Sequence, residues 1–267
     1  MITFPNAKIN LGLHVKEKRR DGYHELETAF YPIGIYDALE LVPGKETQMH
    51  ISGLEVEGEN LCMSAYRALK QDFNLTDVEI YLHKNIPMGA GLGGGSADAA
   101  FFLNMLNKEA NLGLSKSDLH NYARRLGADC SFFIQNKPCL AYGIGDVLQA
   151  LDLDLSAYQI QVVYPGIAIP TAEAYAGVDI GQAEIPLEEV LRHPVEDWKY
   201  LLKNDFEKSV FKRHPILKQT KSELYAQGAL YASMSGSGSA LYGLFNVEQV
   251  LPQWQEPDFR VFNANML

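Results

Sequence analysis

The chain is short of cysteine, of long apolar runs and of positive charge, and each shortage closes off a class of protein. Its 267 residues contain three cysteines, Cys62, Cys130 and Cys139. No two of them stand at a zinc-site spacing, and an odd number makes a poor disulfide framework, so three buried thiols in a reducing compartment are expected. No segment approaches the roughly 20 apolar residues of a membrane-spanning helix. The first 13 residues lack the apolar stretch behind a basic one that marks a secretory signal, so the expected location is the cytoplasm. Lysines and arginines number 23 against 33 aspartates and glutamates, a formal net charge of −10. Such a chain has no general field to gather nucleic acid or a membrane surface, and any anion it binds must be held by a local device. Nor is there a low-complexity linker, or a repeat at a period of roughly 20–50 residues.

What is present is an ordinary globular composition, 47% apolar and 21% charged, with length enough for a sizeable core. From Lys8 onward the chain alternates. Ile9, Leu11, Leu13 and Val15 fall on one face, and Lys8, Asn10, Gly12 and His14 on the other. A period of two predicts a strand with one buried face, its polar face either solvated or flooring a cleft. Asp21-Gly22 signals a turn, residues 28–42 read as strand, and residues 60–72 as a helix capped by Asn60. Residues 78–82 alternate again. Helices are expected over 97–110 and 117–126, a break at Gly127-Ala128-Asp129, and a short apolar piece over 130–134. Beyond residue 155 the pattern predicts a strand at 158–164, loops and short helices over 177–194, helices at 198–208 and 215–227, and a strand at 240–245 after a glycine-serine turn. Two domains are expected, 1–155 and 156–267.

Pro87-Met88-Gly89-Ala90-Gly91-Leu92-Gly93-Gly94-Gly95-Ser96 carries the chemistry. Its glycines leave backbone amides uncovered between a strand and a helix, with Ser96 where an N-cap would stand and Asp98 in the first turn. Amides at a helix N-terminus, with the helix dipole behind them, hold anions, and phosphate is the natural one. The loop is no Walker A motif, since no Gly-Lys-Ser/Thr follows. Gly89, Gly91 and Gly94 do match Gly-x-Gly-x-x-Gly, but the acid that a dinucleotide fold would place about 20 residues on falls at Glu109, in a polar helical context.

Residues 87–100, PMGAGLGGGSADAA, resemble the ATP loop of the GHMP kinases. Ala7-Lys8-Ile9-Asn10-Leu11 resembles that family's N-terminal motif, and Met234-Ser235-Gly236-Ser237-Gly238-Ser239-Ala240 its C-terminal glycine motif. Three motifs in the family's order cover most of the chain. The stretches AKINLGLHV (7–15), RDGYH (20–24), LGADC (126–130), Pro165-Gly166 and Ile169-Pro170-Thr171 are most similar to the branch whose acceptor is a cytidine-diphosphate-linked alcohol, with homoserine or mevalonate kinases as the alternative. The implied fold is α+β, with an N-terminal domain like domain 2 of ribosomal protein S5 and a ferredoxin-like C-terminal domain.

The resemblance implies a set of roles. ATP is the co-substrate, held by Pro87, Gly89, Gly91, Leu92, Gly93, Gly94, Gly95 and Ser96, with Asn60 and Lys84 toward the nucleotide; Asn60 and Lys84 could equally be surface residues. Asp129 is the base for the acceptor hydroxyl, unless it merely caps the next helix. Lys8 is its cationic partner and Asn10 orients them. Magnesium arrives with ATP, with Ser96 as one oxygen ligand. Tyr23 offers a face to the cytosine, His24 its edge contact, Tyr175 the other side, and Thr171 a polar contact. Gly236, Ser237 and Gly238 lie near the substrate's diphosphate, or form only a tight turn. No nucleic acid or membrane partner is implied, and the expected state is a monomer or weak homodimer.

Overall fold

The structure, a computed structural model, describes residues 1–56, 58–181 and 185–267. Strands β1 (Ile2–Thr3), β2 (Asn6–Lys18), β3 (His24–Tyr36), β4 (Ala38–Pro43) and β5 (Gln48–Gly53) precede helix α1 (Leu61–Asp72). Strand β6 (Val78–Lys84) leads into α2 (Gly94–Glu109), α3 (Lys116–Leu126) and α4 (Cys130–Gln135). Strands β7 (Cys139–Tyr142), β8 (Val147–Ala150) and β9 (Tyr158–Tyr164) come next, then α5 (Thr171–Tyr175), α6 (Leu187–Val190), α7 (Trp198–Leu201), α8 (Phe206–Arg213) and α9 (Pro215–Ala226). Strands β10 (Tyr231–Met234), β11 (Leu241–Asn246) and β12 (Arg260–Asn265) finish an α+β fold.

These elements form two compact units, neither continuous in sequence. One comprises Met1–Ala7, Ile35–Met88 and Gly93–Lys137; the other comprises Lys8–Gly34, Gly89–Leu92 and Pro138–Leu267. Residue 155, where the sequence suggests a boundary, falls inside the second unit.

The first unit holds a sheet of order β1-β4-β6-β5, antiparallel except between β5 and β6. Helix α2 packs against α1, α3 and α4. Strand β6 buries Val78, Ile80, Leu82 and Lys84 in strict alternation, so Lys84 continues an apolar face. Helix α1 begins at its Asn60 cap, whose side chain accepts from the Cys62 amide at 2.8 Å, and α3 begins at a reciprocal Ser115–Asp118 capping box.

The second unit holds two four-stranded sheets, β2-β3-β7-β8 and β10-β11-β9-β12. Leu13 and Val15 of β2 join Val163, Ile169, Phe206, Leu217, Leu241 and Phe245 in one apolar cluster. The expected polar face of β2 is not solvated, because Lys8, Asn10 and His14 are buried as well. The helix expected over 198–208 is interrupted. Residues 202–205 leave the helix to pair with β2: the Leu13 amide donates to the Lys203 carbonyl and the Asp205 amide to the Leu13 carbonyl, both at 2.9 Å. These bonds replace the two that a continuous helix would have made there.

Candidate active site

In the first unit, α2 starts one turn earlier than expected. Its N-cap is Gly93 in the left-handed conformation (φ 72°), and Ser96 is the third helical residue rather than the cap. The Ala97 amide closes the first turn onto the Gly93 carbonyl at 2.9 Å, which leaves the amides of residues 94–96 as the helix's open donors. A 16-residue helix directs its dipole at this turn, and its N-cap makes no side-chain bond. An anion fits here.

Asp129 opens α4, beside this turn. It holds the N-cap position of that helix, and its carboxylate makes no capping bond there. The turn is drawn close to α2, since a methyl at Gly127 would lie 4.0 Å from Ser96 Oγ and 3.5 Å from Cys130 Sγ. Burial pushes the Cys130 thiol up to about 11. Asp129 is half-buried and stands two residues beyond Gly127, where this approach occurs.

Lys84 departs from expectation. The Lys84 side chain is wholly buried and its ammonium is bonded to the carboxylates of Asp37 and Asp98, the latter at 2.7 Å. It presents no charge at the surface for a nucleotide. Asp37 Oδ1 also accepts from the amides of Asn85 (2.6 Å) and Ile86 (2.9 Å). Burial opposes the charge on Lys84, but Asp98 and Asp37 outweigh it and hold its pKa above the ordinary value. Burial, helped by the neighbouring Asp37 charge, outweighs the pull of Lys84 and pushes Asp98 up to about 7. Asn60 spends its side-chain oxygen on the α1 cap.

In the second unit, three stretches converge. Lys8 Nζ donates to Asn10 Oδ1 at 2.6 Å and lies 4.8 Å over the Phe30 ring. Asn10 Nδ2 donates to Thr28 Oγ1 at 2.9 Å, and Thr28 Oγ1 to the Gly12 carbonyl at 2.5 Å. The lysine is therefore aimed by a buried polar chain. The loop piece Gly89–Leu92 is stitched in beside it. The Lys8 amide donates to the Leu92 carbonyl (2.9 Å), the Ala240 amide to the Ala90 carbonyl (3.0 Å) and Ser235 Oγ to the Gly91 carbonyl (2.7 Å). Asn204 Nδ2 donates to the carbonyls of Met234 and Gly236, both at 2.8 Å, and so holds the turn that carries Gly236, Ser237 and Gly238. Ser237 is half-buried and the two glycines take positive φ, 56° and 91°.

The aromatic residues divide. His24 and Tyr175 stack with centroids 4.6 Å apart and planes at 21°, and Tyr175 meets Phe206 edge-on at 4.8 Å. Tyr23 stands 61% exposed. Burial, with Lys18 nearby, lowers the His24 pKa, so at neutral pH its ring offers one donor and one acceptor. Thr171, at the start of α5, is exposed.

Sequence reasoning missed Ser235, Asn204, Thr28, Asp37 and Asp98 as members of these networks. Only the burial phase of β6 signalled the fate of Lys84. Among the described residues no group of three histidine, cysteine, aspartate or glutamate side chains is placed to hold a metal, and no helix is long and apolar enough to cross a membrane.

Residues 60–148 match the family model for the GHMP kinases N terminal domain, and residues 187–258 that for the GHMP kinases C terminal. The chain is 52% identical over 256 residues, 93% of each chain, to a protein of Bacteroides fragilis (strain YCH46) named 4-diphosphocytidyl-2-C-methyl-D-erythritol kinase. A crystal structure of 4-(cytidine 5'-diphospho)-2C-methyl-D-erythritol kinase matches over 99% of both chains at 32% identity, with a TM-score of 0.81. Mevalonate kinase of Methanococcus jannaschii shares the fold, at 17% identity and a TM-score of 0.66 over 100% of this chain and 98% of that one.

Proposed function

Since the chain belongs to the GHMP kinase family, we propose that it moves the γ-phosphoryl group of ATP to the 2-hydroxyl of 4-(cytidine 5'-diphospho)-2-C-methyl-D-erythritol, a step toward isoprenoid precursors. The observation that carries this reading is the near-full-length likeness, at about half identity, to an enzyme of that name. The mevalonate-type alternative rests only on a shared fold. The aromatic group of the second unit supports the choice, because a small acceptor without a base has no use for Tyr23, His24 and Tyr175.

Phosphoryl transfer is positioning plus charge stabilisation. The open amides of α2, with Pro87 and Gly89–Leu92 leading to them, receive the phosphates of ATP. Asp129 takes the proton of the acceptor hydroxyl as the new O–P bond forms and the bond to ADP breaks. Lys8, fixed by Asn10, is the cation the reaction draws on. Gly236, Ser237 and Gly238 take the diphosphate of the acceptor, Thr171 makes a polar contact to it, and Asn60 serves the nucleotide side. Bound with ATP, magnesium would neutralise charge on the phosphate oxygens. The donor set fits an ion carried in by the nucleotide, with the Ser96 hydroxyl as the protein's contribution. The segments 1–155 and 156–267 are in this reading the N-terminal, nucleotide-binding and the C-terminal, acceptor-binding portions of a cytoplasmic enzyme, a monomer or weak homodimer, with Tyr23 and His24 of the first segment also serving the acceptor.

The test is ADP release with ATP and magnesium against the CDP-linked alcohol, methylerythritol phosphate, homoserine, mevalonate and galactose. Turnover confined to the CDP-linked alcohol is expected; turnover with another acceptor instead would discard the cytidine site.

A further inference from the structure

Three charges are buried together in the first unit, outside the groups just assigned to substrates. Asp37, the single residue between β3 and β4, accepts from the Lys84 ammonium through one oxygen and from the amides of Asn85 and Ile86 through the other. It thereby grips three consecutive residues that end where Pro87 begins the glycine-rich segment. The same ammonium reaches Asp98 Oδ2 at 2.7 Å, one turn into α2 and two residues past Ser96. The Lys84–Asp98 pair is a chord across the stems of a segment that contains five glycines. The cluster also touches the turn itself: a methyl on Gly94 would lie 3.2 Å from Lys84 Nζ and 2.8 Å from Ile86 Cγ2.

Stability alone is a poor reason for this arrangement. Desolvating three charges is costly, and apolar residues of similar volume often fold as well or better. The cluster even leaves Asp98 Oδ1 without a hydrogen-bond partner. Glycine-rich backbone, in contrast, loses the most freedom when ordered, and a ligand that must order it binds more weakly. A fixed pair of stems removes part of that loss in advance.

We propose that Lys84, Asp37 and Asp98 are positioning residues that hold the first turn of α2 ready for the phosphates of ATP. The proposal rests on the reading of that turn as the nucleotide site. It also gives Lys84 a part in ATP binding without contact.

The experiment compares wild type, Asp98→Asn and Asp98→Ala. Three quantities are read: calorimetric affinity for magnesium and a non-hydrolysable ATP analogue, separate KM values for ATP and the CDP-linked alcohol, and hydrogen exchange of the amides at 93–98. Loss of a charge-assisted bond predicts nucleotide binding weaker by about tenfold for Asp98→Ala and about threefold for Asp98→Asn, which keeps an oxygen toward Lys84. The KM for ATP should follow, the KM for the acceptor should stay within about twofold, and exchange should quicken at 93–98 but not in α3 or α9. Unchanged affinity in a folded variant would overturn the proposal, as would equal losses for both substrates with exchange faster throughout. If Asp98→Ala does not fold, Asp98→Asn carries the comparison, and wild-type affinity there would be equally fatal. Wild-type protein that binds no nucleotide would instead overturn the kinase reading, and with it the purpose given to the cluster.

Discussion

Alanine at position 91 should be far more damaging than alanine at position 89, although both glycines lie in one short loop and both have positive φ, 79° and 63°. A side chain in that conformation costs about 1 kcal/mol at either position. At 89 nothing lies within 4 Å of the added methyl, so that is the whole effect. At 91 the methyl would sit 1.9 Å from the Ser235 carbonyl oxygen and 2.8 Å from its carbon. Backbone must retreat by about 1 Å to relieve the contact. The bonds from Ser235 Oγ to the Gly91 carbonyl (2.7 Å) and from the Ala240 amide to the Ala90 carbonyl (3.0 Å) then fail together. Each contributes about 1 kcal/mol, so Gly91→Ala should lose about 3 kcal/mol against about 1 for Gly89→Ala. Urea unfolding reads both values directly. In ADP release, the position-91 variant should show the larger fall in kcat/KM for ATP, because its loop backbone is displaced. Equal losses at the two positions would refute the close approach of the loop to Ser235.

Three further outcomes are expected. Asp129→Asn should bind the ATP analogue nearly as wild type does and turn over about 10²–10⁴-fold more slowly, measured by ADP release at saturation; near-normal turnover would remove Asp129 from the chemistry. Tyr23→Ala should raise the KM for the CDP-linked acceptor by about tenfold and leave that for ATP alone, consistent with the roughly 1–3 kcal/mol that stacking one base contributes; an ATP defect would put the platform in the wrong place. All three cysteines are buried, and with the Cys130 thiol pushed up to about 11 its thiolate fraction at pH 7.5 is below roughly 0.1%. Ellman's reagent should therefore find no thiol in native protein within minutes and three in urea, and a fast native thiol would contradict the burial.

The sequence was most readable where periodicity and local chemistry agree. Helix α1 with its Asn60 cap, the strands at 78–84 and 158–164, and the glycine loop before a helix all follow from residues close together in the chain. Lys84 shows a signal that was present but unused: three apolar residues two apart set the phase that buries it, and a lysine buried on that face needs acids from elsewhere. Those acids, Asp37 and Asp98, are 47 and 14 residues away, and nothing local announces them. The burial of the polar face of β2 was hidden for the same reason. Alternation tells which residues share a face, not what covers it, and the cover includes Ser235, whose hydroxyl accepts from the Asn10 amide at 3.3 Å. The break at 202–205 was hidden because Leu202 and Phe206, four residues apart, also fit one helical face.

The interleaving of the two units constrains how this chain can be made. Each unit draws on segments separated by stretches of the other, so no single cut releases either intact. Within the second unit, β3 also waits on the far end of the chain: Ile33 bridges Met266, and the Leu267 amide reaches the Pro32 carbonyl at 3.2 Å. A ribosome that has delivered the first 230 residues has delivered every segment of the first unit, but an incomplete second core and the exposed edge of β9, whose partners β11 and β12 have not yet been made. Contacts of such long sequence separation form slowly, so folding of the second unit is expected to follow synthesis rather than accompany it, with the nascent chain depending on its surroundings to stay apart from its neighbours.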